Sequence, residues 1–143
     1  MWLYRSYSSI PWRTTKCWIC SIQHKTPQRR LCSVEDLYAQ SCELLCRLGV
    51  TANYTGFSQM AYALQLCVEE QDRLLYVTKL VYPDVAKHFR TDWRAVERNL
   101  RTVGCVIWRE NQALLEELAR KTLRQKPSTA QLLAILTLSC VIK

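Results

Sequence analysis

The chain has 143 residues, of which 49% are hydrophobic, so it is long enough to form one domain with a buried core. Its net charge of +8 is unevenly distributed: residues 1–32 contain six basic and no acidic side chains, whereas residues 33–143 contain fourteen basic and twelve acidic ones. The chain has three glycines, no Gly-rich phosphate loop and no nucleophile beside an evident base. These absences argue against the common catalytic patterns, so we expect no enzymatic activity and no cofactor.

The first 32 residues have the composition of a basic, aromatic and poorly ordered tail. They contain three tryptophans and show no helical periodicity. Cysteine and histidine are the residue types that bind zinc, and this segment contains Cys17, Cys20, His24 and Cys32. Their spacing is not that of a known zinc finger, so we expect no metal site. The segment also lacks the uninterrupted apolar core of a secretory signal.

Three scaffold helices are predicted before residue 82. Ser33 is the expected N-cap of the first, and Gly49 is well placed to end it in a left-handed conformation. The second follows the NYTG turn, and the third covers residues 72–81 and carries Lys79. The apolar positions of the first two helices are Val34, Leu37, Tyr38, Leu45 and Leu48, then Phe57, Met60, Ala61, Leu64 and Val68.

The run YPDVAKHFRTDWRAVERNLRTVGCVIWR at residues 82–109 predicts two helices joined by a tight turn. Pro83 suits the first position of a helix, because its missing N–H would have no partner there. Arg90 marks the turn, and Thr91 is the expected N-cap of the second helix, which covers residues 92–109. Residues 79–109 hold seven basic and three acidic side chains. This is the pattern of a DNA-reading helix-turn-helix.

The second of these helices is amphipathic. Trp93, Val96, Leu100, Val103 and Ile107 form one apolar stripe that we expect to be buried, and Arg94, Glu97, Arg98 and Arg101 lie on the opposite face. An arginine can donate two hydrogen bonds to guanine, and a glutamate can accept one from cytosine. These four residues are therefore the predicted base-reading set. The alternative is a solvated face with an ordinary pair between Glu97 and Arg101.

A second set of residues is predicted to bind DNA phosphates, which would position the domain without selecting a sequence. Its members are Lys79, Lys87, His88, Arg90 and Thr91. For His88, a partly exposed side chain at a helix end is the alternative. The basic residues Arg120, Lys121, Arg124 and Lys126 are instead expected to form a solvated face, with a contact to flanking DNA as the alternative.

The C-terminal third is predicted to close the core. An amphipathic segment covers residues 111–124, and the turn at Lys126 to Ser128 precedes a last helix over residues 129–141. That helix is apolar on most sides but shorter than the roughly 20 residues that a membrane span needs, so it is expected to be a buried closing helix or a dimer contact. Five cysteines in these helical segments are expected to be unpaired thiols that fill the core: Cys42, Cys46, Cys67, Cys105 and Cys140.

Several blocks of the sequence resemble one known family. LVYPDVAKHF, then VERNLR with Trp108, and then the KPS turn are similar to the C-terminal effector domain of the sporulation stage-zero response regulator, the master transcription factor of endospore-forming bacteria. VEDLYAQSCELLCRLGV and GFSQMAYALQL occupy the places of the family's first two helices. The resemblance covers residues 33–143.

The resemblance implies an all-α, compact bundle of about six helices, a winged-helix-like effector domain without a wing. It implies a cytoplasmic transcription regulator that binds a short box in double-stranded DNA through the helix at residues 92–109. Glu97 and Arg98 carry over as base-reading residues, whereas Ala95 stands where family members commonly have an arginine. That departure alters or relaxes the expected box preference.

The resemblance also allows a contact with RNA polymerase or a sigma factor, and a homodimer on DNA. Nothing before Ser33 resembles the family's receiver domain, so we expect an effector domain without its own phospho-switch. Two alternatives to a DNA-binding regulator stay open: a helical protein-interaction module, and a non-functional remnant of a truncated response regulator.

Overall fold

Helix α2 (Thr55–Glu69) lies at the centre of the fold, since ten of its 15 residues are buried. The computed structural model of the protein describes residues 34–142. The other elements are α1 (Val34–Arg47), a 3₁₀-helix (Gln71–Tyr76), a π-helix (Val77–Val81), α3 (Tyr82–Phe89), α4 (Trp93–Glu110), α5 (Gln112–Ala119) and α6 (Thr129–Val141). Helices α1, α3, α4 and α6 all contact α2. The all-α prediction of about six helices is confirmed, and residues 34–142 contain no strand that could form a wing.

The end of α1 follows the sequence prediction. Gly49 has a φ of +88°, in the left-handed region that glycine adopts without steric cost. Its N–H donates to the carbonyl of Cys46, and the N–H of Val50 donates to that of Leu45. These bonds satisfy carbonyls that the helix end would leave without donors. The predicted N-cap, Ser33, lies outside the described residues.

The prediction of an α-helix over residues 72–81 is wrong, because residues 71–81 form a 3₁₀-helix followed by a π-helix. The N–H of Tyr82 donates to the carbonyl of Val77, five residues earlier. This wider turn brings residues five apart onto one side, and Val77 and Tyr82 are both buried. Arg73 holds the 3₁₀-helix in place through ion pairs with Glu70, at 2.7 Å, and with Asp84 of α3.

Helices α2 and α4 cross at a point where only a glycine fits. A Cβ atom on Gly56 would lie 2.6 Å from the carbonyl oxygen of Asn99 and 2.7 Å from Cγ2 of Val103. Next to this crossing, the Asn99 amide donates to the buried Gln59 side chain at 3.0 Å. The backbone of α4 is therefore fixed directly against the central helix.

The amphipathic segment predicted over residues 111–124 is helical only as far as Ala119. Arg120 adopts a left-handed conformation with a φ of +53°, and its N–H closes the helix end on the carbonyls of Glu116 and Glu117. The Glu116 carboxylate then accepts from the backbone N–H of Leu123 at 3.1 Å. The basic residues after Ala119 consequently lie in a folded loop and not on a helix face.

Helix α6 closes the core, as predicted. Ser128 and Gln131 form a capping box at its start, with the Gln131 N–H donating to the Ser128 hydroxyl at 3.3 Å. Its buried residues are Leu132, Leu133, Leu136, Thr137 and Cys140. Across residues 34–142, no helix combines the length and the apolar character that crossing a membrane requires.

Candidate nucleic-acid interface

Helices α3 and α4 form the predicted helix-turn-helix, with a three-residue turn between them. Arg90 adopts a left-handed conformation, and the N–H of Thr91 donates to the carbonyl of Ala86 at 2.9 Å. Thr91 therefore completes the end of α3, and the prediction that it caps α4 is wrong. The N-cap position belongs to Asp92, whose backbone is extended and whose side chain makes no capping hydrogen bond.

The apolar stripe of α4 is buried as predicted, except at its first member. Val96, Leu100, Val103 and Ile107 are fully buried against the rest of the fold. Trp93 is 39% exposed, so the prediction that it is buried is wrong. It occupies the first position of the helix, directly after the turn, and the guanidinium of Arg94 lies over its ring at 5.4 Å from the centroid.

The solvent face of α4 carries the four residues predicted to read bases. Arg94, Arg98 and Arg101 are exposed and Glu97 is half-buried. The Arg101 guanidinium donates to the Glu97 carboxylate, one turn earlier. Both a base-reading face and a solvated face accommodate this pair.

Tyr82 lies near the pair formed by Glu97 and Arg101. Its side chain is buried, and burial raises the pKa of its phenol above the ordinary value, although a hydrogen bond with the Thr129 side chain opposes the shift. Charges on Glu97 and Arg101 also act on this phenol. The pair therefore lies close to a packed tyrosine that joins α3 to the start of α6.

The residues predicted to bind phosphates lie on three neighbouring segments. Lys79 is on the π-helix, Lys87 and His88 are in the last turn of α3, and Arg90 and Thr91 form the turn. All five are exposed. The π-helix contacts α3, and α3 contacts α4, so these segments lie side by side in the fold.

His88 is attached to the scaffold by an aromatic stack. Its imidazole lies parallel to the Tyr62 ring of α2, with centroids 4.0 Å apart and an interplanar angle of 16°. Phe89 contacts the imidazole edge-on at 4.9 Å. This burial of one ring face lowers the pKa of His88 below its ordinary value, because it disfavours the charged form.

The lowered pKa of His88 predicts a pH-dependent stability. The unfolded chain binds this proton more tightly than the folded one, so stability is unaffected above the ordinary histidine pKa of about 6.5 and falls as the pH drops below it. Urea unfolding of the wild type and of His88→Gln at pH 7.5 and 5.5 tests this. We expect a smaller difference between the two pH values for the variant; an equal difference would contradict the role of His88.

None of the cysteines in residues 34–142 forms a disulfide, and one of them is not a core residue. Cys67 and Cys140 are buried, and burial raises the pKa of Cys42 and of Cys67 to about 11. Cys105 is instead exposed on α4, and its sulfur accepts a hydrogen bond from the Lys126 ammonium at 3.0 Å. The sequence did not indicate this contact, because the two residues lie on different elements 21 positions apart.

No metal site is found among residues 34–142, since no three side chains of the zinc-binding types converge there. The candidate ligands named from the sequence were Cys17, Cys20, His24 and Cys32. All four lie outside the part of the chain that the structure describes.

Comparison with protein families agrees with this geometry. The family model described as "Sporulation initiation factor Spo0A C terminal" matches residues 41–139, which run from within α1 to near the end of α6. The chain belongs to this family. Spo0A C-terminal domains are DNA-binding domains that regulate transcription in sporulation, and the family is not one of enzymes. The resemblance in the sequence is thereby confirmed, and the helix-turn-helix of α3 and α4 lies wholly within the Spo0A C-terminal match.

Proposed function

We propose that the chain is a sequence-specific regulator of transcription that reads a short DNA box through the solvent face of α4. The observation that carries this proposal is that Glu97 and Arg98 stand together on that face, while the opposite face is locked into the core by Val96 and Leu100. A recognition helix must keep the same side chains directed at the groove. A fully buried stripe on the opposite face prevents the helix from rotating about its axis.

The side chains have distinct roles in this proposal. Arg98 is exposed and donates to the O6 and N7 atoms of a guanine, and Glu97 accepts from the N4 amino group of a cytosine. Arg101 holds the Glu97 carboxylate in position. A helix that bound only phosphates would gain nothing from a carboxylate at this point, because phosphate and carboxylate repel each other.

Position 95 is expected to change the preferred box. Ala95 is half-buried beside the reading face and has no donor for a base. Arg94 does not replace it, because a step of one residue turns a side chain by about 100° around the helix, and its guanidinium is engaged with the Trp93 ring. We therefore infer a box that lacks one of the guanine contacts that an arginine at this position would make.

The phosphate contacts are assigned to the segments that flank the reading face. Lys79, Lys87, Arg90 and Thr91 are exposed on the π-helix, the end of α3 and the turn. His88 contributes with a ring whose orientation the Tyr62 stack has already fixed. These contacts supply affinity through counterion release and set the register of α4 in the groove.

A regulator of this kind acts where the DNA is, which for a bacterial cell is the cytoplasm. Two copies side by side on neighbouring boxes would bind more tightly than one, because the second binding event gains from the proximity of the first. A homodimer on DNA, and a contact with RNA polymerase or a sigma factor, stay predictions from the family.

Selection from a random pool of DNA duplexes tests the proposal. The full chain is incubated with the pool, bound duplexes are amplified over several rounds, and the enriched sequences are aligned. We expect a short shared box that contains a guanine and a cytosine at neighbouring positions. If the chain binds duplexes but the sequences of the bound duplexes share no common box, sequence-specific recognition would be contradicted.

A further inference from the structure

The solvent face of α4 carries a row of positive charges with one interruption. Arg94, Arg98, Arg101 and Arg109 are all exposed and are separated by steps of four, three and eight residues. Steps of three and four keep side chains on one side of a helix, so position 105 is the missing member of the row. That position holds Cys105 and no basic residue.

A lysine from another part of the fold fills this interruption. Lys126, in the loop between α5 and α6, reaches back to α4 and donates to the Cys105 sulfur at 3.0 Å. Both residues are exposed. The row of positive charges therefore continues along the helix. Lys126, which is 21 residues further along the chain, supplies the charge next to position 105.

The loop holds Lys126 from both sides. Before it, the Glu116 carboxylate accepts from the Leu123 N–H at 3.1 Å. After it, Pro127 is buried, and Ser128 begins α6 with a capping box. A lysine between two fixed points loses less conformational entropy on binding than one in a free loop.

The type of residue at position 105 also affects the charge of this part of the surface. A carboxylate at position 105 would pair with the ammonium and cancel its charge, as Glu97 partly does for Arg101. A cysteine sulfur is a weak acceptor, and the contact gives Lys126 no carboxylate partner. The contact thus orients Lys126 without an acidic side chain beside it.

We propose that Lys126 is a DNA phosphate-binding residue, held over the C-terminal half of α4 by Cys105. This inference rests on the proposed function. The N-terminal part of a recognition helix reads base edges. Because the groove curves around the duplex, the later turns of an 18-residue helix approach the sugar-phosphate backbone, and Lys126 contacts α4 one turn beyond Arg101.

Salt-dependent titrations of the full chain test the proposal, with the duplex found by selection and a scrambled duplex as ligands. Replacing Lys126 by glutamine should remove one phosphate contact, so the slope of log K against log salt should become shallower by about 0.9. That change corresponds to an affinity lower by about fivefold at 0.15 M salt, equally for both duplexes. The matched control is Lys121→Gln, since Lys121 is an exposed lysine of the same loop.

Two substitutions of Cys105 separate positioning from charge. Cys105→Ala removes the acceptor and should bind more weakly than the wild type, but less so than Lys126→Gln, because the ammonium remains but is no longer held over α4. Cys105→Glu should bind more weakly than Lys126→Gln, because the new carboxylate both pairs with Lys126 and repels phosphate. Circular dichroism of each variant checks that the fold is retained.

The outcomes distinguish this inference from the proposed function. A wild type that binds DNA while Lys126→Gln keeps the same affinity and slope would overturn the phosphate role of Lys126 only. An equal loss in Lys121→Gln would also overturn it, because it would show an effect of net charge alone. A wild type without affinity for any duplex would overturn the proposed function and this inference together.

Discussion

Arg98→Ala is expected to weaken binding to the DNA box by about fivefold to 150-fold, since a bidentate contact between arginine and guanine is worth about 1–3 kcal/mol. Arg98 is exposed on α4, so its loss should not disturb the core. Binding to a scrambled duplex should fall far less, because only the charge contribution is lost there. Fluorescence anisotropy with both duplexes measures the two effects.

Glu97→Gln completes this test. It keeps the size of the side chain but removes the charge that accepts from cytosine and that pairs with Arg101. We expect weaker discrimination at the cytosine and affinity for the scrambled duplex that is unchanged or higher, because a negative charge has left the DNA-facing side. Arg124→Ala is the matched control for the loss of an exposed arginine outside the face. Equal losses in Arg98→Ala and Arg124→Ala would contradict base reading by α4.

Gly56→Ala is expected to destabilise the fold by about 1–3 kcal/mol, the usual cost of forcing extra volume into a packed interior. The new methyl group would lie 2.6 Å from a backbone atom, the carbonyl oxygen of Asn99, which cannot rotate away as a side chain can. Helices α2 and α4 must therefore separate. Because that separation moves the recognition helix, affinity for the DNA box should fall as well.

The matched control for this prediction is Gly104→Ala. A Cβ atom at Gly104 meets only the end of a flexible side chain, Cδ2 of Leu132, at 3.3 Å. Alanine also favours a helix over glycine by about 1 kcal/mol. Thermal unfolding should show a lower Tm for Gly56→Ala and an unchanged or higher Tm for Gly104→Ala. A Gly56→Ala protein as stable as the wild type would contradict the close crossing of α2 and α4.

Local signals in the sequence were sufficient for most of the fold. The spacing of Val96, Leu100, Val103 and Ile107 predicted the buried side of α4, and Gly49 and Ser128 marked a helix end and a helix start. The helix predicted over residues 72–81 failed because α-helical periodicity does not register a turn that closes five residues apart. Arg120 ended α5 early through a left-handed conformation that is unusual for arginine.

The candidate site was predictable where it depends on one helix and not where it depends on several. Spacing alone placed Glu97, Arg98 and Arg101 on one face. Trp93 was misassigned because periodicity gives the side of a helix but not how far its neighbours cover it. The stack of His88 on Tyr62 joins elements that are distant in sequence, as does the contact of Lys126 with α4. No local pattern encodes either contact.

The division between the tail at residues 1–32 and the domain at residues 33–143 stays a prediction. The family match begins at residue 41, within α1. Fragments that start near residue 33 would need to fold and bind DNA as the full chain does for the division to hold.

The central claim is tested most directly by titrating the full chain against two labelled duplexes, one with the box found by selection and one scrambled, each at a low and a physiological salt concentration. We predict that binding to the box is tighter by more than about 10³ at physiological salt, and that the preference persists when salt is raised. Equal binding to both duplexes with a steep dependence on salt would contradict the claim, because it would show non-specific binding to phosphates without base recognition.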